Sequence, residues 1–424
     1  MPCSARLRLA MIKNLAQRQR ESRKHSPSQS DDYLLARENA PTHFGLQGNN
    51  DLPPAPTRQR IENPIEKVEV SAYKIPTEAP ESDGTYRWDS TTLVLVEVTA
   101  AGATGLGYTY ADSAAAILIR DKLADEIKQE DALDVQKCWS AVVRAIRNLG
   151  RPGIASMAIS AVDIALRDLK AKILRVPLVS LLGRSRDSIP VYGSGGFTSY
   201  SLEQIAEQLG GWAASGMRFV KMKIGREPER DLERVKTARK AIGEKADLFV
   251  DANGAYGRKQ ALQLAQGFAD LRVTWYEEPV SSDDLEGLRF IRAHMPASME
   301  VAAGEYGYST KYFLDVIEAV DVLQADVTRC AGITGLIQAM SLCKAFSIPF
   351  SAHTAPTVHT NVCCSTLADV RHIEYFHDHE RIEHMLFEGA STPVKGELFP
   401  NETQPGLGIA FKHADAKRYA ISLA

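Results

Sequence analysis

"FVKMKIG", Phe219–Gly225, reads as a buried strand interrupted by two charges. Phe219, Val220, Met222 and Ile224 have the apolar, partly β-branched character of a strand covered on both faces. Lys221 and Lys223 stand two apart, so on a strand they share a face. Two ammonium groups side by side repel, and burial makes the repulsion worse. A fold that keeps such a pair must use it.

The same rhythm continues on both sides. "VYGSGG" precedes this strand; "LFVDANG", "WYEEPV", "EVAAGEY", "VLQADVT", "PFSAHT" and "HIEYF" follow. Amphipathic stretches such as "LEQIAEQLGGWAASG", "DLERVKTARKAIG" and "GLIQAMSLCKAF" separate them. Short apolar runs alternating with helices at even spacing predict a parallel (β/α) barrel over about 186–390. Upstream, "VEVSAYKIP" and "TTLVLVEVTAAGATGLGYTY" bracket the polar "TEAPESDGTYRWD", which predicts an antiparallel sheet with a mobile loop. Residues 112–182 read as helices, clearest in "SMAISAVDIALRDLKAKIL". An α+β unit therefore fills about 61–185. The Gly/Pro-rich tail, 391–424, is expected to return to that unit. Residues 1–60 are polar and rich in turn-formers, which predicts a poorly ordered extension. Their basic start raises a transit peptide, but little Ser and no clean apolar stretch favour a dispensable extension.

Composition narrows the function classes. Net charge is -3, so nothing advertises a nucleic-acid partner. No apolar run approaches the roughly 20 residues of a membrane span. The six cysteines lack metal-finger spacing and read as reduced thiols of a cytoplasmic-type protein.

Polar residues fall where the strands end. Lys221 and Lys223 close the second strand; Asp251 and Asn253 the third; Glu277 and Glu278 the fourth; Glu305 the fifth. Asp326, His353 and Glu374 close the sixth, seventh and eighth. Barrel enzymes collect their reactive groups at these ends. Asp251, Glu277 and Glu305, on three neighbouring strands, would repel unless a cation joined them. All-oxygen ligands suit Mg²⁺. Glu278 is expected to project away from the metal.

In that order, "KMK", "DAN", "EEP" and "GE", then Asp326 and His353, resemble the enolase superfamily and, within it, the mandelate racemase subgroup. The resemblance covers about 61–424. It implies an α+β capping domain on a (β/α)7β barrel, with Asp251, Glu277 and Glu305 as Mg²⁺ ligands. It also implies Lys223 as a base, an Asp326–His353 dyad, and Glu374 near the substrate carboxylate. Lys221 beside Lys223, with Mg²⁺ nearby, is then expected to lower the Lys223 pKa so that it can take the proton next to a carboxylate. Asp326 should fix the His353 tautomer. The implied reaction is dehydration of an acid sugar, with epimerisation of a 2-hydroxy acid and a non-catalytic sugar-acid-binding barrel as alternatives. Its partner is a small carboxylate, and homo-oligomers are common among such barrels. In the polar loop "ESDGTYRWDS", Arg87 is expected to meet distal substrate groups, while Tyr86 and Trp88 exclude water. Asn253 and His359 are further candidate substrate contacts. "RCAGITG" has Ala331 where relatives commonly carry a second Gly; a methyl there is expected to crowd the backbone or narrow the site.

Overall fold

The structure, a computed structural model, describes residues 62–423. The expectation for residues 1–60 lies outside them. Eight parallel strands pair side by side in chain order: β4 (Ile189–Gly195), β5 (Phe219–Lys223), β6 (Asp247–Asp251), β7 (Val273–Glu277), β8 (Glu300–Ala303), β9 (Val322–Ala325), β10 (Phe350–Ala352) and β11 (Val370–Phe376). Pairing of β11 with β4 closes the ring. Helices between the strands cover the outside, several with their own start signals. Ser201 and Gln204 form a reciprocal capping box on Leu202–Ala214, and Asp284 caps Leu285–His294.

The barrel interior alternates every second residue. Its lower layer is aromatic: Tyr192, Phe219, Phe249, Trp275 and His372 meet ring against ring, with Phe249 stacked on Trp275 at 5.1 Å. One step of the pleat higher, the same strands present Ser194, Lys221, Asp251, Glu277 and Glu374. Side chains two apart on a strand share a face, so a packed floor carries a charged layer directly above it.

The cap is a three-stranded antiparallel sheet, β1 (Lys67–Ser82), β2 (Arg87–Ala100) and β3 (Ala103–Tyr110), with helices that include Val135–Ala145 and Ile154–Ile173. One sheet face packs on helix Ile154–Ile173. A Cβ on Gly107 would stand 2.0 Å from the Ala161 carbonyl oxygen, so only glycine permits that approach. Tyr73, Ile75, Leu93 and Tyr108 belong to the barrel's own apolar core.

Two expectations change. The segment between the first two strands is no long loop. β1 and β2 continue through it as a ribbon, with an irregularity between Pro76 and Glu81 and only 83–86 left for the turn. Cross-strand pairing up to Pro76–Ser90 and again at Glu81–Trp88 and Ser82–Arg87 satisfies the backbone on either side of the irregularity, which the polar side chains concealed. The ribbon tip is also seated. Ser82 Oγ lies 2.6 Å from Thr198 Oγ1, and a Cβ on Gly84 would meet the Ala252 carbonyl oxygen at 2.4 Å. The tail, in turn, first adds β12 (Glu397–Leu398) antiparallel to β4, and only then reaches the cap, where the Ile421 amide donates to Ala72 O.

Ala331 opens helix Gly332–Phe346 in the left-handed region, at φ 68°. A side chain there costs roughly 1–2 kcal/mol. Its methyl packs in the cap's apolar cluster instead of narrowing the mouth, and Trp139 Nε1 donates to its carbonyl at 2.9 Å. The cap also supplies what this helix start lacks. Ser160 Oγ accepts from the Gly332 amide and Asp163 from the Thr334 amide.

Candidate active site

Strand ends bring the predicted residues together at the mouth facing the cap. Lys221, fully buried, lies 2.7 Å from Glu277, 2.9 Å from Glu374 and 3.4 Å from Asp251. Its ammonium stands 5.2 Å from the Tyr192 ring centre. Lys223 donates to Asp251 Oδ2 at 2.5 Å. The two lysines are therefore not mutually exposed charges; each is wrapped by carboxylates. With no cation on Asp251, burial and Lys221 push the Lys223 pKa down but Asp251 outweighs them and raises it; Mg²⁺ on Asp251 would take up that negative charge and leave the lowering by Lys221. Strand spacing shows the repulsion between the lysines and conceals the anions contributed by β6, β7 and β11.

Across the mouth, His353 Nδ1 meets Asp326 Oδ2 at 2.9 Å. Asp326 Oδ1 accepts from the Thr328 amide at 2.6 Å and hydroxyl at 2.7 Å, which locks the carboxylate. His353 Nε2 lies 2.8 Å from Glu305 and 3.5 Å from Glu374. Burial works against a charged imidazole, yet Glu305 and Glu374 overcome it and push the His353 pKa up to about 10. Glu374 is held down at about 2: burial opposes ionisation, and Lys221, then His353, win.

Among the described residues, Asp251, Glu277 and Glu305 form a group able to hold one metal ion, with one oxygen from each lying within 4.8 Å of the others. All three are buried. Burial and the Asp251 charge push Glu277 up to about 8, even with Lys221 at 2.7 Å. The wider mouth is underneutralised too. Among the described residues, Asp251, Glu277, Glu278, Glu305, Asp326 and Glu374 face only Lys221, Lys223 and Arg329 as permanent cations. A hard divalent cation on the three carboxylates fits both the donor set and the charge deficit, and Mg²⁺ is the fitting ion.

Other candidates divide. Asn253 sits at φ 45° with its amide on Asp251 Oδ1, and its own Oδ1 is buried without a partner among the described residues. Arg87 is exposed near the ribbon tip. Trp88 stacks on Tyr86 and turns its edge to Phe197, while its Nε1 donates to Glu81 at 2.8 Å. His359 is a correction. Its Nε2 accepts from the Val327 amide at 3.1 Å and its Nδ1 donates to Thr354 O at 2.7 Å. Both nitrogens are used by backbone, and burial lowers its pKa to about 4. It braces the turns after β9 and β10 and offers a ligand nothing. Glu278, at φ 38°, keeps a buried Oε1 with no partner among the described residues.

Sequence reasoning missed Arg329, which spans Glu305 at 3.5 Å and Asp326 at 3.4 Å. Its position three residues beyond Asp326 was the available signal. It also missed Phe376, two residues past Glu374 on β11, whose ring centre lies 6.0 Å from Lys223 Nζ.

Known proteins share this fold. Residues 68–183 match the mandelate racemase/muconate lactonizing enzyme N-terminal domain, and residues 204–416 match the enolase C-terminal domain-like family. The L-talarate/galactarate dehydratase of Salmonella typhimurium is 31% identical over 70% of this chain and 78% of its own. Its crystal structure with Mg and L-lyxarohydroxamate superposes with a TM-score of 0.78 at 27% identity, covering 85% and 93% of the two chains. The 3,6-anhydro-alpha-L-galactonate cycloisomerase of Streptomyces coelicolor is 32% identical over 84% of this chain and 99% of its own. A mandelate racemase/muconate lactonizing enzyme-like protein from Rubrobacter xylanophilus is 53% identical, with a TM-score of 0.83 over 84% of this chain and all of that one. With both domains matched and the carboxylates, lysines and His–Asp pair in place, the chain belongs to the enolase superfamily, in its mandelate racemase/muconate lactonizing branch.

Proposed function

We propose that the protein is a Mg²⁺-dependent hydro-lyase that removes water from an acid sugar, an aldonate or aldarate, to form a 2-keto-3-deoxy acid. The observation that carries this reading is the separation of two proton-transfer groups, Lys223 at the end of β5 and His353 after β10, by three buried carboxylates. Mg²⁺ held by Asp251, Glu277 and Glu305 would supply positive charge to the substrate carboxylate as its α-proton leaves. Lys223 and His353 lie on different arcs of the ring, so they address opposite faces of the substrate. One takes the α-proton. His353, oriented by Asp326, is either that base or the acid that protonates the departing β-hydroxyl. The α C–H pair becomes the new double bond, hydroxyl leaves as water, and the enol tautomerises to the 2-keto acid. Glu374, 2.9 Å from Lys221 and 3.5 Å from His353, steadies both charges near the substrate carboxylate. Dehydratases among the relatives support this reading.

The test follows α-proton exchange and product together by NMR in D₂O with an acid-sugar library. His353→Asn and Lys223→Ala should each lower dehydration by about 10²–10⁴-fold. One of the two should retain exchange of the α-proton. If both variants dehydrate at the wild-type rate, the acid and base are misassigned. Inversion of the centre without loss of water would identify an epimerase, and isomerisation without loss of water a cycloisomerase.

A further inference from the structure

His379 lies five residues past Glu374, in the first turn of helix His377–Leu386, and has no role in the chemistry above. Its ring is pinned at the seam between cap and barrel. One face stacks on Tyr110, at the end of β3, with ring centres 3.6 Å apart and planes within 11°. Phe376, the aromatic neighbour of Lys223, meets it edge-on at 5.0 Å and 76°. Tyr110 also donates its hydroxyl to the His379 carbonyl at 3.2 Å. The ring is thus held on two sides and the backbone at one point, and the residue is only 8% exposed. Yet Nδ1 is buried and has no hydrogen-bond partner among the described residues. A buried nitrogen without a partner loses its bond to water and gains none in return, and such groups in a well-packed protein call for an explanation.

Its surroundings say what would satisfy it. Phe376 stands between it and the site, with its ring centre 5.0 Å from the His379 ring and 6.0 Å from Lys223 Nζ, which places the imidazole beside the mouth. Burial lowers its pKa to about 4, so the ring is neutral at working pH. A neutral imidazole offers one donor and one acceptor. It suits a hydroxyl, which is both, better than a carboxylate.

We propose that His379 is a specificity-determining residue whose imidazole hydrogen-bonds a hydroxyl of the substrate on a carbon beyond the two that react. This rests on the acid-sugar reading of the site and adds to it where the sugar chain runs: from the carboxylates toward the seam of Tyr110, Phe376 and His379. A chain lacking that hydroxyl leaves the nitrogen unpaired, and sites built to bond a hydroxyl discriminate strongly against analogues without it.

The experiment uses the full-length, Mg²⁺-loaded protein and reads α-proton exchange in D₂O. Two substrates are compared: an acid sugar with hydroxyls along its chain, and glycerate, which has the reacting carbons and none beyond. His379→Phe keeps the stack on Tyr110 and removes both nitrogens. The ratio of kcat/KM for acid sugar over glycerate should fall about tenfold, mainly through KM, the loss expected for one hydrogen bond. His379→Asn should regain part of it. An unaltered ratio in a folded His379→Phe protein, judged by its Tm, overturns the proposal; so does an equal loss on both substrates. Because exchange is the readout, a wild type that exchanges the acid sugar without losing water sinks the dehydratase reading alone, and the ratio still decides His379. A wild type that exchanges no 2-hydroxy acid overturns both.

Discussion

Two layers of one barrel, a single pleat apart, do opposite things. The floor of Tyr192, Phe249, Trp275 and His372 is ring against ring. Above it Lys221, Asp251, Glu277 and Glu374 crowd charges into the same buried space. The floor gains stability from burial of apolar area, about 25 cal/mol per Å². The upper layer gains little. Desolvation of buried ions offsets much of their attraction, and its geometry is kept for what it can bind. Aromatic packing below holds the strands whose upper ends must stay aligned to about half an ångström for chemistry.

The largest break in this comparison should come from the upper layer, and it should fall on activity. Glu305→Gln, or removal of metal with a chelator, should lower turnover by about 10³-fold or more, since a metal ion contributes several kcal/mol of charge stabilisation. Added Mg²⁺ should restore the chelated enzyme and not the variant. Glu305→Gln should still melt cooperatively, with a Tm near that of the wild type. Full turnover by metal-free protein would refute the metal assignment.

The floor should break the other way. Trp275→Ala should cost about 3–5 kcal/mol in urea unfolding. Trp275 also couples the layers, because its Nε1 donates to Glu277 Oε2 at 2.9 Å. Trp275→Phe keeps a ring and removes that donor. It should weaken Mg²⁺ binding by about 10-fold, as loss of a partner behind a metal ligand commonly does. Equal Mg²⁺ affinity in calorimetric titrations of wild type and Trp275→Phe would show the layers to be independent.

The smallest effect should come from protons. His372, in the floor, has its pKa lowered to about 3 by burial, then by Arg371 and Lys221, and its Nδ1 lies 2.8 Å from Ser351 Oγ. The unfolded chain protonates near 6.5. The group's stabilisation is therefore complete above pH 6.5 and is lost as pH falls toward 3, because only the unfolded state takes up the proton. The slope is at most about 1.4 kcal/mol per pH unit. Between pH 6 and 4.5, wild-type stability should fall more steeply than that of His372→Gln by up to this amount. Parallel curves from urea titrations at each pH would mean that His372 is charged in the fold, contrary to its aromatic surroundings.

Much of the site is legible in the order of residues. Charges recurring after short apolar runs point to a barrel mouth, and Asp251, Glu277 and Glu305 to a metal. Asp326 and His353 are legible as a pair because neighbouring parallel strands end level. The ribbon of β1 and β2 is not, since its polar side chains look like a loop until the partner strand is seen. Nor is His359, whose two backbone partners, Val327 and Thr354, lie on separate strand-end turns.

By itself the sequence determined what is periodic and local: eight strand–helix units, a two-residue alternation on each strand, and one acid or base at seven successive strand ends. Such features depend on backbone geometry within a few residues. Only the tertiary structure decided which charge answers which. Lys223 belongs to Asp251, Lys221 to Glu277 and Glu374, and His353 to both Asp326 and Glu305. Those pairings arise from barrel closure, which brings β11 against β4 and places residues more than a hundred positions apart within bonding distance. The protonation of a buried group follows the sum of desolvation and every neighbouring charge, a quantity no single strand contains.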